Sequence, residues 1–174
     1  MGQTRLNLKT VMALVVDRDP FSRGLVSQML RGFGINSILI ADNGVEAREI
    51  LGQHRPDVCF IEAALPDMAA GDLICWIRRH PNRALRFVPV IVMSGYTQMR
   101  LISAARDAGA HLVVRKPLSP QVLFDRLSWV ATFERAFVEA PNYVGPDRRF
   151  HAVEPPDCQL KRETDEPVKI EARR

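Results

Sequence analysis

Short runs of apolar residues alternate along the chain with longer segments in which apolar residues recur every three or four positions. Continuous β-branched runs are typical of strands covered on both faces, and the longer spacing is typical of helices that bury one face. Five strands are predicted in this way, at residues 11–16, 37–41, 57–61, 88–93 and 111–115. A helical pattern follows each of them, so the chain is predicted to repeat a strand–helix unit five times.

Local signals place the ends of the helices. Asp19-Pro20 predicts the start of the first helix, because aspartate caps free amide groups and proline fits the first turn. Gly32 and Gly34 predict its end. Further helices are predicted after residues 43–44, at about 70–79, at about 98–108 and from 120 to about 139. The alternation predicts an α/β fold, a five-stranded parallel sheet with helices on both faces and right-handed connections.

The composition changes near residue 140. The 35 residues from 140 to 174 hold five of the 12 prolines and 14 charged residues, seven of each sign. Such a segment buries too little apolar surface to offset the loss of chain entropy on ordering. We therefore predict an N-terminal extension at 1–10, one domain at 11–139 with an extended last helix, and a disordered polar tail at 140–174.

Charge and cysteine usage narrow the function classes. A net charge of +4 is mildly basic, and no basic stripe or recognition motif accompanies it, so no DNA binding is expected. No apolar stretch approaches the ~18 residues of a spanning helix. The three cysteines show no CxxC spacing and do not suggest a disulfide framework. We expect a cytoplasmic protein without membrane attachment.

Polar residues follow the predicted strands at their carboxyl ends, where open α/β sheets bind ligands. These residues are Asp17, Arg18 and Asp19 after the first strand, Glu62 after the third, Ser94 after the fourth and Lys116 after the fifth. Carboxylates hold magnesium or accept a group, whereas a hydroxyl and an ammonium hold phosphate oxygens. The set predicts a site for phosphoryl-group chemistry at this end of the sheet.

Four segments around these residues resemble the CheY-like receiver domains of two-component response regulators, over about residues 11–130. They are Val-Val-Asp-Arg-Asp-Pro, Pro-Asp-Val-Cys-Phe-Ile-Glu with Leu-Pro-Asp-Met-Ala-Ala-Gly, Val-Pro-Val-Ile-Val-Met-Ser-Gly and Gly-Ala-His-Leu-Val-Val-Arg-Lys-Pro. The resemblance implies the flavodoxin-like (βα)5 receiver fold and phosphorelay signalling, with an aspartate that accepts phosphate from a histidine kinase. It also implies that Asp17 is the first magnesium-holding acid, and that Ser94 and Lys116 contact the phosphoryl group.

Three positions depart from the receiver pattern. Glu62 stands where the family has its phosphoacceptor aspartate, Arg18 where it has a second acid, and Val113 where it often has a switching aromatic residue. The usual acids and lysine leave a negative charge that magnesium neutralises. Here the formal charges sum to zero over Asp17, Arg18, Glu62 and Lys116. We predict that Arg18 pairs with Glu62 in the place of a metal; the alternative is an ion pair that only stabilises a relic pocket.

The extra methylene of Glu62 moves its carboxylate about 1 Å outward, and phosphoryl transfer depends on in-line positioning. We therefore predict a phosphorylation-independent, protein-binding receiver that is not an enzyme and needs no cofactor. A working phosphoacceptor that uses magnesium at Asp17 is the alternative. The expected partner is a kinase, a motor or another output protein, bound to the face of the last two helices; a homodimer is a further option.

One tail segment, residues 143–149, stands out from the rest. Arginines stack on guanine and fork onto phosphates, so the ligand candidates in this segment are Tyr143, Asp147, Arg148 and Arg149. The segment is similar to the arginine-rich tails of the Cle subset of CheY-like proteins, a similarity that implies cyclic di-GMP binding. An ordinary solvated tail is the other interpretation.

Overall fold

The computed structural model describes residues 7–95, 99–132, 136–140 and 143–147. Within these ranges strands and helices alternate as predicted, with one short helix and two strands in addition. The strands are β1 (Met12–Val16), β2 (Ser37–Ala41), β3 (Val58–Glu62), β4 (Val90–Ser94), β5 (Leu112–Arg115), β6 (Phe137–Ala140) and β7 (Tyr143–Pro146). The helices are α1 (Pro20–Gly32), α2 (Gly44–Gln53), α3 (Ala70–Arg78), α4 (Arg83–Arg86), α5 (Met99–Asp107) and α6 (Pro120–Thr132).

Strands β1 to β5 form one parallel sheet in the order β2-β1-β3-β4-β5. This confirms the predicted α/β fold. Successive residues of a strand point to opposite faces. In β1, Leu14 and Val16 belong to the core under α2, α3 and α5, whereas Ala13 and Val15 belong to the core under α1 and α6. No helix in the described ranges is long and apolar enough to cross a membrane.

Two aspartates fix the starts of α1 and α2. Asp19 caps α1 as predicted, accepting hydrogen bonds from two amides of its first turn at 3.3 and 3.0 Å. Asp67, in the loop after β3, accepts hydrogen bonds from the amides of Gly44 and Val45, both at 2.9 Å. The bond from Gly44 contributes most to lowering the pKa of Asp67, against a smaller opposing effect of desolvation. The loop after β3 is therefore attached to the first turn of α2.

Both predicted ends of the domain need correction. Leu8 lies within the predicted N-terminal extension, yet it is buried in the core under α1 and α6. The last helix ends at Thr132 rather than near residue 139. Residues 137–140 pair antiparallel with 143–146 and form the β6–β7 hairpin. The prediction of a disordered tail from residue 140 is therefore wrong for residues 143–147. Residues 148–174 lie outside the described ranges.

The hairpin covers a buried guanidinium at the amino end of the sheet. Arg78, the last residue of α3, is 1% exposed. Its Nε and Nη2 donate to the carbonyl of Gly109 at 3.0 and 2.9 Å, and its Nη1 donates to the carbonyls of Arg86 and Val88 at 2.7 and 2.9 Å. Burial lowers the pKa of Arg78 to about 10. Since these carbonyls precede β4 and β5, one side chain joins the end of α3 to the starts of two strands.

The hairpin packs against this arginine through a phenylalanine and a close contact between two glycines. The ring centroid of Phe137 lies 5.2 Å from Cζ of Arg78 and 4.5 Å from the ring centroid of Phe87. A Cβ at Gly145 would lie 2.8 Å from Cα of Gly109, so the two backbones approach more closely than a side chain allows. Gly109 has φ +101°, a conformation that favours glycine. Contacts distant in sequence therefore order a segment whose own pattern is too short to define a strand.

Replacing Arg78 with lysine is expected to lower the free energy of unfolding by about 3 kcal/mol, because an ammonium offers three donors to acceptors that the guanidinium serves with five. Urea denaturation at pH 7 measures the change. The matched control is Arg79→Lys at the neighbouring exposed position, where a change below about 0.5 kcal/mol is expected. Equal stability of the two variants would contradict the role given to Arg78.

Candidate functional site

The residues predicted to converge lie at the carboxyl end of the sheet. Asp17 follows β1, Glu62 ends β3, Ser94 ends β4 and Lys116 follows β5. The first three are buried, and the lysine is partly exposed. Because β4 lies between β3 and β5, the long lysine side chain crosses the end of β4 to reach the carboxylates. Val113 is partly buried and packs against the core from β5.

The ammonium of Lys116 holds the site together. It donates hydrogen bonds to Oδ2 of Asp17 at 2.5 Å and to Oε2 of Glu62. Its backbone amide donates to the carbonyl of Ser94 at 2.8 Å, and the bond to Pro117 is cis. Burial alone would lower the pKa of Lys116, but the hydrogen bonds and charges of Asp17 and Glu62 raise it above its usual value. The lysine is therefore held charged between two carboxylates.

Asp17 receives donors that the sequence pattern did not single out. Its Oδ1 accepts from the amide of Asp19 at 2.9 Å, and its Oδ2 accepts from Oγ of Ser22 at 2.7 Å in addition to Lys116. Nη1 of Arg23 donates to the Asp17 carbonyl at 2.6 Å. One available signal was the capped start of α1, because helical side chains lean toward the N-terminus and hence toward Asp17.

The predicted ion pair between Arg18 and Glu62 is wrong. Arg18 is exposed, and the Glu62 carboxylate is bound by Lys116. Neighbouring residues at the end of a strand point in opposite directions, so the buried Asp17 sends Arg18 outward. That position also avoids the cost of desolvating a second cation. The two carboxylates and the ammonium give the pocket one net negative charge, rather than the predicted zero.

The two tail candidates that the structure describes lie far from this cluster. Tyr143 belongs to the β6–β7 hairpin, where its hydroxyl donates to the carbonyl of Pro146 at 2.7 Å. The amide of Asp147 closes the same hairpin with a bond of 2.8 Å to the carbonyl of Ala136. Two further candidates lie outside the described residues, Arg148 and Arg149. Tyr143 and Asp147 therefore have places in a folded hairpin at the opposite end of the sheet.

Known proteins match most of the chain. The family model of the response regulator receiver domain matches residues 13–128. The chain is 28% identical over 132 residues to the two-component response regulator-like protein APRR7 of Arabidopsis thaliana, which covers 75% of this chain and 18% of that protein. It is 28% identical over 127 residues to the chemotaxis protein CheY-3 of Vibrio cholerae, covering 73% and 95%. The chain thus spans a small part of the first relative and nearly all of the second.

Solved structures share the fold. The chemotaxis response regulator CheY4 of Vibrio cholerae has a TM-score of 0.63 at 24% identity, over 69% of this chain and 98% of that chain. The receiver domain of the sensor histidine kinase PA1611 of Pseudomonas aeruginosa, with magnesium coordinated in its active-site cleft, has a TM-score of 0.64 at 22% identity, over 70% and 98%. At these levels of identity, the two structures show that the fold is shared.

Replacing Lys116 with methionine is expected to lower the free energy of unfolding at pH 8 by about 3 kcal/mol, because two buried carboxylates lose their shared cation. Urea denaturation at pH 8 measures the change. Lys9→Met, at an exposed lysine, is the control; equal losses in the two variants at pH 8 would contradict the central position of Lys116.

The raised pKa of Lys116 also predicts how the unaltered protein responds to alkali. A cation whose pKa is higher in the folded state contributes its full stability below the unfolded value of about 10.4 and loses it as the pH rises through the folded value. The midpoint of urea unfolding is therefore expected to fall above about pH 10.4 in the unaltered protein, and to fall less in Lys116→Met. An identical decline in both proteins would contradict the assignment of this effect to Lys116.

Proposed function

The chain belongs to the response regulator receiver family of two-component signalling, and we propose that it acts there as a phosphorylation-independent, protein-binding module rather than as an enzyme or a phosphoacceptor. The observation that carries the proposal is the ammonium of Lys116, which lies against both Asp17 and Glu62. The chain's own cation thus occupies both carboxylates, which a metal ion or an incoming phosphoryl group would otherwise contact.

The residues at this site do not fit a magnesium ion. Magnesium requires oxygen ligands in near-octahedral geometry, and proteins usually bind it through one or two carboxylates whose oxygens are free to coordinate it. Arg18 supplies an exposed cation at the position of the family's second acid, and the carboxylate of Asp17 already accepts three hydrogen bonds. The described residues contain no group of three or more histidine, cysteine or acidic side chains arranged to hold a metal. Magnesium therefore has no part in the proposed function.

Glu62 supports a fixed state rather than phosphotransfer. Its side chain is one methylene longer than aspartate, which moves the carboxylate about 1 Å from the in-line position that phosphoryl transfer needs. Its Oε2 is already bound to Lys116. A longer carboxylate that reaches the lysine resembles a phosphorylated aspartate in placing negative charge further from the backbone, against this ammonium. We infer that the receiver is held in one signalling state by its own side chains.

Exposed apolar side chains support binding to a protein partner. Phe21 at the start of α1 is 78% exposed, and Leu25 on the next turn is 39% exposed. On α6, Val122 and Phe124 are 40% and 37% exposed. Burying such side chains drives protein association. Because α1 and α6 cover the same face of the sheet, we place the partner on this face, which shares α6 with the surface predicted from the sequence.

Incubation with acetyl phosphate and magnesium is expected to leave the mass of the protein unchanged, because Glu62 is engaged by Lys116 and the site lacks an acid at position 18. Intact-mass spectrometry across a time course checks this result. A gain of one phosphoryl group that disappears in Glu62→Gln would refute the proposal and favour the working phosphoacceptor.

The double variant Arg18→Asp with Glu62→Asp is expected to bind magnesium about tenfold more tightly than either single variant, because it restores the charged oxygen ligands that this cation uses. Isothermal titration calorimetry measures the affinities. The single variants are the matched controls, since each changes one position only. A double variant that binds magnesium no better than the unaltered protein would show that the account of this pocket is wrong.

A further inference from the structure

Strand β5 is attached to the rest of the sheet through β4 alone among the described strands. At its amino end, the amide of His111 donates to the carbonyl of Val90 at 2.8 Å. At its carboxyl end, the amide of Lys116 donates to the carbonyl of Ser94 at 2.8 Å. The strand that delivers the central lysine is therefore a short edge strand, and its position depends on how both ends are held.

The amino end of β5 is held by Arg78. Its guanidinium donates twice to the carbonyl of Gly109, and it approaches Nδ1 of His111 at 3.3 Å. The same Nδ1 accepts from the amide of Val90 at 3.1 Å. The guanidinium also binds two carbonyls just before β4. The starts of both strands thus depend on one hydrogen-bond network.

The β6–β7 hairpin closes this network from the outside. The ring of Phe137 lies over Arg78, and its centroid is 5.9 Å from the ring centroid of His111. A Cβ at Gly145 would lie 2.6 Å from the hydroxyl of Tyr143 and 2.8 Å from Cα of Gly109, so docking requires glycine. Hydrogen bonds shielded from water are stronger than exposed ones. The hairpin therefore strengthens the attachment of β5.

We propose that the β6–β7 hairpin is a strap that fixes β5 at its amino end and so keeps Lys116 in place between Asp17 and Glu62. The four residues of β5 lie between His111 and Lys116, which are therefore about 17 Å apart at 3.3 Å per residue step. Release of the hairpin loosens β5 and with it the ammonium at the far end. The proposal rests on the proposed function, because the fixed position of Lys116 defines the signalling state. A regulator acting on the hairpin would then alter the site without touching it.

The variant Gly145→Ala tests the strap in the full chain. Its matched control is Gly24→Ala, since a Cβ at Gly24 meets nothing within 4 Å. Nuclear magnetic resonance reports docking through the contact between the rings of Phe137 and His111. The hydrogen-exchange rate of the Lys116 amide reports how firmly the carboxyl end of β5 is attached to β4. The reference is the amide of Asp17, which bonds the carbonyl of Ala41 at 3.1 Å across β1 and β2.

In Gly145→Ala the ring contact is expected to be lost and the Lys116 amide to exchange about tenfold faster, while the Asp17 amide keeps its rate. The control is expected to leave all three observations unchanged. A lost ring contact with an unchanged Lys116 rate overturns the proposal, and so does an equal acceleration of both amides, which would indicate global destabilisation.

Phe137→Ala serves as a second variant if the first does not fold, because it removes the ring above Arg78 without adding atoms. In Phe137→Ala, docking is followed through the close approach of Gly145 to Gly109. If the hairpin stays docked in both variants, the proposal is overturned, since docking would not depend on the contacts that define it. Phosphorylation of the unaltered protein by acetyl phosphate would refute the proposed function while leaving the exchange result intact. The two failures are therefore distinguishable.

Discussion

The ammonium of Lys116, placed between the carboxylates of Asp17 and Glu62, is the interaction on which the site depends. Two buried carboxylates at the ends of adjacent strands repel each other and are costly to desolvate, so they require a cation. The lysine supplies it from β5, across the end of β4. Ser22 and the start of α1 are arranged around the same carboxylate of Asp17. At this site the chain therefore provides both the buried carboxylates and the cation that pairs with them.

Two departures from the receiver pattern lie at this site. An acid at position 18 would add negative charge for a metal to neutralise, and here that position is an exposed arginine. An aspartate at position 62 would carry its carboxylate one methylene closer to the backbone. With glutamate there, the carboxylate reaches Lys116 directly. The arginine at position 18 lowers the negative charge at this end of the sheet, in keeping with the proposed function.

A second buried cation organises the opposite end of the sheet in a different way. Arg78 serves backbone carbonyls rather than carboxylates, and its planar guanidinium reaches several of them at once. The β6–β7 hairpin covers it and excludes water. This gives a physical reason for the sequence around Tyr143 to Pro146: the tyrosine closes the hairpin on itself, and Gly145 permits the contact with Gly109. The described part of the segment that resembles a ligand-binding tail, residues 143–147, packs in this hairpin.

The sequence by itself determined the five strand–helix units, because hydrophobic periodicity and the cap at Asp19-Pro20 are local signals. It also identified Asp17, Glu62, Ser94 and Lys116, since parallel strands bring their carboxyl ends to one edge. It wrongly predicted Arg18 rather than Lys116 as the partner of Glu62, because spacing along the chain does not give side-chain direction or desolvation cost. Only the tertiary structure decided that, and only it placed residues 137–140 and 143–147 in a hairpin, which is held by contacts with Arg78 and Gly109 that are distant in sequence.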